Sequence, residues 1–312
     1  MGLSDKTKHR LKENCNISLK GKTVLVTGAN SGVGFKTAEI AVSLGADVIL
    51  ACRNMERAQE ARLKLLCDYP EASISVMQLD LASLTSIESF TEELVNSKVD
   101  IDAFVNNAGA FRQPEKKTAD GFDLVLGTNY IGTYYLSERV LPYLSSLPHE
   151  VVYVNTISII HKIATVDYAD FYYERRKHYP TFPVYARSKL CLAKYTYAQA
   201  KRYAGSNVRI LMNHPGMTLT PMGLNALGNG IKRLTGIVES LSNSPEKSAL
   251  SLAYILSHEI PVGSIVGPNK GLGGWGYPEV NRVGQRVKEG AEELIRFTNT
   301  EIEKAKKRDL LI

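Results

Sequence analysis

Short runs of β-branched and apolar residues alternate along the chain with segments that carry apolar residues three and four positions apart. The runs predict β-strands, and the spacing of three and four predicts amphipathic helices. Several runs are apolar almost throughout, as expected of strands buried on both faces. Strands are predicted at Thr23–Thr27, Asp47–Ala51, Ser73–Leu79, Ile101–Asn106, Glu150–Thr156, Val208–Asn213 and, from a weaker pattern, Ser264–Gly267.

The alternation of strands and helices is typical of a parallel sheet covered by helices on both faces. It predicts an α/β fold with a single Rossmann-like, doubly wound parallel sheet of seven strands. Residues 1–18 form a basic leader, and residues 19–312 are predicted to be one domain because no repeat or Pro/Ser-rich linker marks another boundary. Two of the helices are indicated by Leu84, Ile87, Phe90 and Leu94 and by Leu190, Ala193, Lys194 and Tyr197.

Two stretches interrupt this alternation of strands and helices and are predicted to be substrate loops. Residues 159–183 are rich in aromatic and basic side chains, which either line a pocket for a flat apolar molecule or pack on one another in a surface hairpin. Residues 217–243 are apolar and punctuated by glycines. They are expected to form a mobile lid over cofactor and substrate, or else a rigid helical arm.

Composition and charge narrow the classes of function. Lys and Arg total 38 against 32 Asp and Glu, a net charge of +6 that suits an anionic ligand, but the charges are scattered and indicate no nucleic-acid partner. No apolar run approaches the ~18 residues of a membrane helix, so we expect no membrane span and a cytoplasmic location. The four cysteines are widely spaced, which argues against a metal site or a disulfide framework.

The first predicted strand runs into a glycine-rich turn, Thr27-Gly28-Ala29-Asn30-Ser31-Gly32-Val33-Gly34, that opens a helix. Glycines permit positive φ and let a pyrophosphate approach the main chain, and the helix N-terminus favours its negative charge. The spacing is GxxxGxG rather than the GxGxxG of the general dinucleotide-binding fingerprint. The alternative is a glycine turn that binds no ligand.

The second predicted strand is followed by Cys52-Arg53-Asn54, which offers no carboxylate to repel a 2′-phosphate. Arg53 is placed to bind that phosphate, which favours NADP(H) over NAD(H), unless it is merely a solvated side chain. Asp80, after the third strand, either accepts a hydrogen bond from an adenine amino group or caps the next helix.

Tyr185 and Lys189 lie four residues apart in a predicted helix, on one face. An ammonium group beside a phenol lowers the pKa of the phenol and makes it usable as a proton donor and acceptor. Such a pair alone is common on helix surfaces. Ser158, at the end of the fifth strand, and Asn129, in a helix entering the same region, give it a context, because doubly wound folds bind ligands at this edge.

With these motifs in order, the chain resembles the short-chain dehydrogenase/reductase family, and is most similar to its retinol dehydrogenase-like and WW-domain-oxidoreductase-like branch. The family glycine pattern TGxxxGxG falls on Thr27 to Gly34, NNAG on Asn106-Asn107-Ala108-Gly109, and the PG turn on Pro215-Gly216. The catalytic Asn, Ser, Tyr and Lys fall on Asn129, Ser158, Tyr185 and Lys189. Leu50 to Asn54, Gly127-Thr128-Asn129 and His214-Pro215-Gly216 carry the resemblance to the branch.

The resemblance implies an oxidoreductase that interconverts a carbonyl and an alcohol by hydride transfer from NADP(H), without a metal. Tyr185 would give the proton, Ser158 would hydrogen-bond the reacting oxygen, Lys189 would bind the nicotinamide ribose, and Asn129 would hold a water linking the lysine to solvent. The cofactor-binding residues are expected to be Gly28, Asn30, Ser31, Gly32, Val33, Gly34, Arg53, Asn54, Asp80, Leu81, Asn107, Ala108, Gly109, Tyr185, Lys189, Pro215, Gly216, Thr218 and Thr220.

The expected partners are an apolar carbonyl or alcohol substrate and further copies of the chain in a homodimer or homotetramer. Two departures argue against a retinoid substrate: the segment Gly271 to Gly276 is unlike the retinoid enzymes, and a membrane-anchoring N-terminal helix is absent. A silent NADP(H)-binding regulator or scaffold is the main alternative. An epimerase or dehydratase of the extended branch is disfavoured by the glycine spacing.

Overall fold

The computed structural model describes residues 2–111, 113–218 and 243–309, which contain an eight-stranded sheet in the order β3-β2-β1-β4-β5-β6-β7-β8. The strands are β1 (Thr23–Thr27), β2 (Asp47–Cys52), β3 (Ile74–Gln78), β4 (Ala103–Asn106), β5 (Val151–Thr156), β6 (Val208–Asn213), β7 (Ile265–Lys270) and β8 (Trp275–Asn281). The helices are α1 (Asp5–Asn14), α2 (Gly32–Ser43), α3 (Met55–Asp68), α4 (Leu84–Ser97), α5 (Leu124–Leu126), α6 (Thr133–Ser146), α7 (Thr181–Arg202), α8 (Pro245–Ser257), α9 (Gln285–Lys288) and α10 (Ala291–Asp309). A π-helical turn, Gly127–Gly132, joins α5 to α6.

The predicted Rossmann-like α/β fold and its seven parallel strands are confirmed, and among the described residues the sheet contains one strand more. The eighth strand, β8, pairs antiparallel with β7 at the edge of the sheet. Its sequence contains Gly276 and Pro278, which disfavour a central strand. An edge strand tolerates proline because one side of its backbone needs no ladder bonds, so the residue pattern gave no strand signal there.

The sheet is buried on both faces, which explains its nearly continuous apolar strands. In β1, Leu25 packs with the large core on one side of the sheet, whereas Val24 and Val26 pack with the core on the other. All four residues that predicted α4 are buried in the first of these cores. On α7, Leu190 and Ala193 are buried as predicted, and Lys194 and Tyr197 lie partly exposed at the margin.

The predicted leader contains helix α1, and it packs on the rest of the chain. Leu3 and Leu11 are buried against Ile40 of α2 and Leu250 of α8. Ser4 caps the helix, and both its main-chain N–H and its hydroxyl donate to Glu246 at the start of α8. No helix among the described residues is long and apolar enough to cross a bilayer.

Parallel pairing brings the carboxyl ends of β1, β4, β5 and β6 to one edge of the sheet. The strand order reverses between β1 and β4, and open α/β sheets bind their ligands at such a point. The segments that follow these four strands contain the glycine turn, the NNAG motif, Ser158 and the PG turn. The fold therefore gathers the predicted motifs at its ligand-binding edge.

Candidate active site

The glycine turn between β1 and α2 leaves main-chain groups open at the start of a helix. Gly28 and Gly32 have φ of +65° and +59°, a region that favours glycine. A Cβ on Gly34 would lie 2.4 Å from the carbonyl oxygen of Gly28 and 2.4 Å from Asn107 Nδ2. Ser31 precedes α2 without capping it through its side chain, so the first N–H groups of the helix are available to an anion.

Neighbouring side chains hold the glycine turn in place. Thr27 Oγ1 accepts hydrogen bonds from the main-chain N–H groups of Asn107 and Ala108, both at 3.0 Å, and Asn107 Nδ2 donates to the Thr27 carbonyl. The buried Cys52 thiol accepts hydrogen bonds from the main chain of Ala29 and Asn30. Hydrogen bonds with the NNAG motif and with the end of β2 thus stabilise the glycine turn on two sides.

Tyr185 on α7 and Ser158 after β5 meet at the edge of the sheet, where their side chains are hydrogen-bonded. Burial raises the pKa of the Tyr185 phenol, and the bond with Ser158 partly offsets that rise. The sequence-based expectation that Lys189 lowers the pKa of this tyrosine is therefore wrong for the protein alone. The Lys189 ammonium instead donates to the Thr156 carbonyl at 2.7 Å.

Lys189 is 4% exposed, and this burial lowers its pKa to about 8. Asn129, which is fully buried in the π-helical turn, lies beside it across Gly109. A Cβ on Gly109 would be 2.9 Å from Asn129 Oδ1 and 3.6 Å from Lys189 Nζ. The Asn129 amide accepts from Ala110 N, and it donates to Ala110 O and to Ser188 Oγ. These contacts connect the segment after β4 to α7.

The lowered pKa of Lys189 predicts a pH-dependent contribution to stability. The unfolded chain keeps the ordinary pKa of 10.5, so between about pH 8 and 10.5 it binds more protons than the folded protein, and stability rises with pH. Relative to Lys189→Met, the wild type should gain up to about 3 kcal/mol across this window. Urea unfolding of both proteins at pH 7 and pH 10 measures the difference. The exposed Lys201→Met variant is the control, and a gap between wild type and Lys189→Met that does not change with pH would contradict the prediction.

The PG turn after β6 packs against the glycine-rich tip of the β7–β8 hairpin, residues 271–276. Gly216 has a φ of +75°, and a Cβ there would lie 2.4 Å from the Gly274 carbonyl. Thr218 donates its hydroxyl to the Pro215 carbonyl and lies 2.7 Å from Ser248 Oγ. Thr220 and nearly all of the predicted lid, residues 219–242, lie outside the described residues.

Comparison with known proteins agrees with this arrangement. The model of the short chain dehydrogenase family matches residues 22–169. Retinol dehydrogenase 13 from Homo sapiens is 34% identical over 243 residues, which cover 76% of this chain and 72% of that protein. The chain belongs to the short-chain dehydrogenase/reductase family, in its retinol dehydrogenase-like branch.

A second retinol dehydrogenase and a solved structure also match the chain. Retinol dehydrogenase 14 from Mus musculus is 39% identical over 216 residues, which cover 66% of this chain and 64% of that protein. The match thus spans slightly less than two thirds of the mouse protein. The crystal structure of an uncharacterised protein from Mycobacterium paratuberculosis aligns with a TM-score of 0.71 and 27% identity, over 92% of this chain and 95% of that one.

In this short-chain dehydrogenase/reductase, the residues predicted to bind the adenosine half of the cofactor lie beyond β2 and β3. Arg53 is exposed directly after β2, whereas Asn54 caps α3 by accepting a hydrogen bond from Arg57 N. Asp80 Oδ1 accepts from Ala82 N, and Ser83, rather than Asp80, caps α4. Of the two alternatives for Asp80, the helix cap is wrong, and the adenine contact stays a prediction.

The aromatic residues of loop 159–183 mostly pack on the protein itself. Phe171 is 3% exposed and packs with Tyr168 against Phe297 of α10. The hydroxyl groups of Tyr172 and Tyr179 donate to Glu301 and Asp123. These contacts favour the self-packed alternative over an aromatic substrate pocket. Phe182 differs, being 42% exposed in the first turn of α7.

Three supporting residues escaped the sequence interpretation. Arg187 is buried between Tyr185 and Lys189 on α7, where it donates to the carbonyls of Thr165, Asp170 and Phe171. Ser188 Oγ accepts a hydrogen bond from the Asn129 amide, and the His161 ring contacts the Ser158 carbonyl. A charged residue inside an otherwise buried helix face was the only available signal for Arg187. Nothing in the sequence distinguished Ser188 or His161.

Proposed function

We propose that the protein is an NADP(H)-dependent oxidoreductase that interconverts a ketone or aldehyde and the corresponding alcohol on an apolar small molecule. The observation that carries this proposal is the convergence of Asn129, Ser158, Tyr185 and Lys189 beside a glycine-lined helix N-terminus. Thr156 Oγ1 is buried at the same edge and has no hydrogen-bond partner among the described residues. A nicotinamide dinucleotide fits this chemistry, since it offers both phosphates and ribose hydroxyls.

The bound cofactor would supply the hydride. Tyr185 would donate its phenolic proton to the developing alkoxide, and the Ser158 hydroxyl would hydrogen-bond the same oxygen. Lys189 would bind the nicotinamide ribose, and its charge beside Tyr185 would then favour the phenolate. Asn129 would support proton exchange with solvent, although its amide also anchors Ala110.

The cofactor is proposed to be NADP(H) because Arg53 follows β2 where an NAD-preferring protein often carries an acid. Arg53→Ala should weaken NADPH binding by ~1.5–3 kcal/mol, about 10- to 150-fold, through the loss of a charge-assisted hydrogen bond. NADH binding should be unchanged. Fluorescence titration with each cofactor measures both effects. Equal losses for NADH and NADPH, or no loss of either, would remove Arg53 from the phosphate site.

The reaction is tested by NADPH oxidation over a panel of apolar aldehydes and ketones, with retinal included because the relatives are named for retinol. Turnover of an apolar carbonyl supports the proposal. Tight NADPH binding without turnover of any panel member would instead favour the silent regulator. Cytoplasmic location and a homodimer or homotetramer stay predictions.

A further inference from the structure

We propose that His161 is a positioning residue that holds the Ser158 hydroxyl in place for the reaction, an inference that rests on the proposed function. His161 is 3% exposed and lies in the short 3-10 helix Ile159–Ile163 that follows Ser158. Its ring Nδ1 is 2.6 Å from the Ser158 carbonyl oxygen. Its main-chain N–H donates to the same oxygen at 3.0 Å. One residue therefore supplies two contacts to the peptide group that carries Ser158.

Ser158 needs such support because it stands between two elements. It follows β5 in an extended conformation, with φ −141° and ψ 149°, and its side chain does not cap the 3-10 helix. The hydroxyl is thus free to face Tyr185. On the strand side, the bond from Ile157 N to Asn213 O at 2.8 Å fixes the main chain. On the other side, the Ser158 carbonyl is held by His161.

The orientation of the Ser158 carbonyl matters because the direction of the Cα–Cβ bond follows the main chain on both sides of Cα. A catalytic group has to be held within about 0.5 Å of its productive position, and a misplacement of about 1 Å can cost on the order of 10²-fold in rate. Loss of the ring contact would leave the Ser158 carbonyl with the main-chain N–H of His161 as its donor. Ser158 Oγ could then move away from the Tyr185 phenol.

The ring acts as a hydrogen-bond donor, because a carbonyl oxygen only accepts. Nδ1 therefore carries the proton. Burial lowers the pKa of His161 and favours the neutral ring, the bond to the Ser158 carbonyl partly offsets this effect, and the charge of Lys162 adds to it. His214 is also buried, and it lies close enough to His161 that a positive charge on the His161 ring lowers the pKa of His214. A neutral donor at Nδ1 is all that the contact with Ser158 requires.

A matched pair of substitutions separates the donor from the volume of the ring. Asparagine and leucine have nearly the same shape, and the asparagine Nδ2 is bonded to Cγ as the histidine Nδ1 is. His161→Asn can therefore keep the donor, whereas His161→Leu removes it. His149→Leu is the control, because His149 also contacts a main-chain carbonyl, that of Ile101 at 3.3 Å, but lies before β5 at the opposite edge of the sheet.

The first readout needs neither substrate nor turnover. The 13Cζ chemical shift of Tyr185, assigned by its loss in Tyr185→Phe, reports the hydrogen bond to the phenol oxygen. We expect His161→Leu to move this resonance to its position in Ser158→Ala, and His161→Asn and His149→Leu to leave it at the wild-type position. Adding His161→Leu to Ser158→Ala should cause no further change, since His161 acts through Ser158.

The second readout is the kinetics of the most active panel substrate. His161→Leu should lower kcat at least 10-fold with the NADPH Kd within 2-fold of wild type, and His161→Asn should restore kcat to within 3-fold. Equal effects of Leu and Asn, normal turnover in His161→Leu, or an additional shift in the Ser158→Ala background would each overturn the proposal. If the wild type turned over no carbonyl, the oxidoreductase proposal would fail, and the Tyr185 resonance would still decide whether His161 positions Ser158.

Discussion

Replacing Tyr185 by phenylalanine is expected to lower carbonyl turnover by ~10²-fold or more, the usual effect of losing an acid/base group. The hydroxyl of Tyr185 is hydrogen-bonded to Ser158, whereas the ring packs edge-on against Phe111 with the ring centroids 4.6 Å apart. Phenylalanine keeps that packing and removes only the hydroxyl. NADPH affinity should therefore stay nearly intact, and both quantities are measured by NADPH absorbance and fluorescence titration.

Tyr197→Phe, on the same helix and partly exposed, is the matched control and should leave turnover unchanged. Survival of activity within a few-fold in Tyr185→Phe would contradict the acid/base role. A loss of NADPH binding equal to the loss of turnover would assign Tyr185 to cofactor binding alone.

The substitution Gly132→Ala is expected to lower the free energy of unfolding by about 3 kcal/mol or more, the upper end of the cost of overpacking a core. Gly132 lies where the π-helical turn meets α6, and a Cβ there would be 2.0 Å from the Leu81 carbonyl oxygen. That oxygen belongs to the main chain and cannot rotate away. The better helix propensity of alanine offsets only about 1 kcal/mol of this cost.

Gly284→Ala provides the control, because nothing lies within 4 Å of a Cβ at that position and its φ of −69° suits any residue. Urea unfolding should find Gly284→Ala within about 0.5 kcal/mol of wild type. An equally small effect of Gly132→Ala would contradict the prediction. It would mean that the main chain of Leu81 can move to make room for the added methyl group.

The parts of the fold that the sequence predicted are those in which burial dictates the residue pattern. Strands such as β1 and β6 match their predicted bounds because both faces are apolar and the ends are marked by polar residues or glycine. The edge strand β8 was missed because most of its residues are partly or fully exposed and because it contains Gly276 and Pro278. The π-helical turn at Asn129 has no sequence signature distinct from an α-helix.

The candidate site was predicted in its residues but not in its electrostatics. Motif spacing placed Tyr185 and Lys189 on one helix face, and the structure brings Ser158 to the tyrosine. The direction of the Tyr185 pKa shift depends on how deeply the phenol is buried and on where Lys189 points, which spacing does not encode. The side chains of Arg187 and His161 bond to main-chain carbonyls of other residues, and a residue pattern does not reveal such contacts either.

Thr218 and Asn243 form a parallel bridge, and Asn243 N donates to the Met217 carbonyl at 2.7 Å. Asn243 also accepts a hydrogen bond from Gly276 N in the hairpin tip. The two points at which the chain leaves and re-enters the described fold are therefore neighbours. Because Asn243 lies two residues before α8, a substitution that displaced the start of this helix would also displace the PG turn, which is predicted to bind the cofactor.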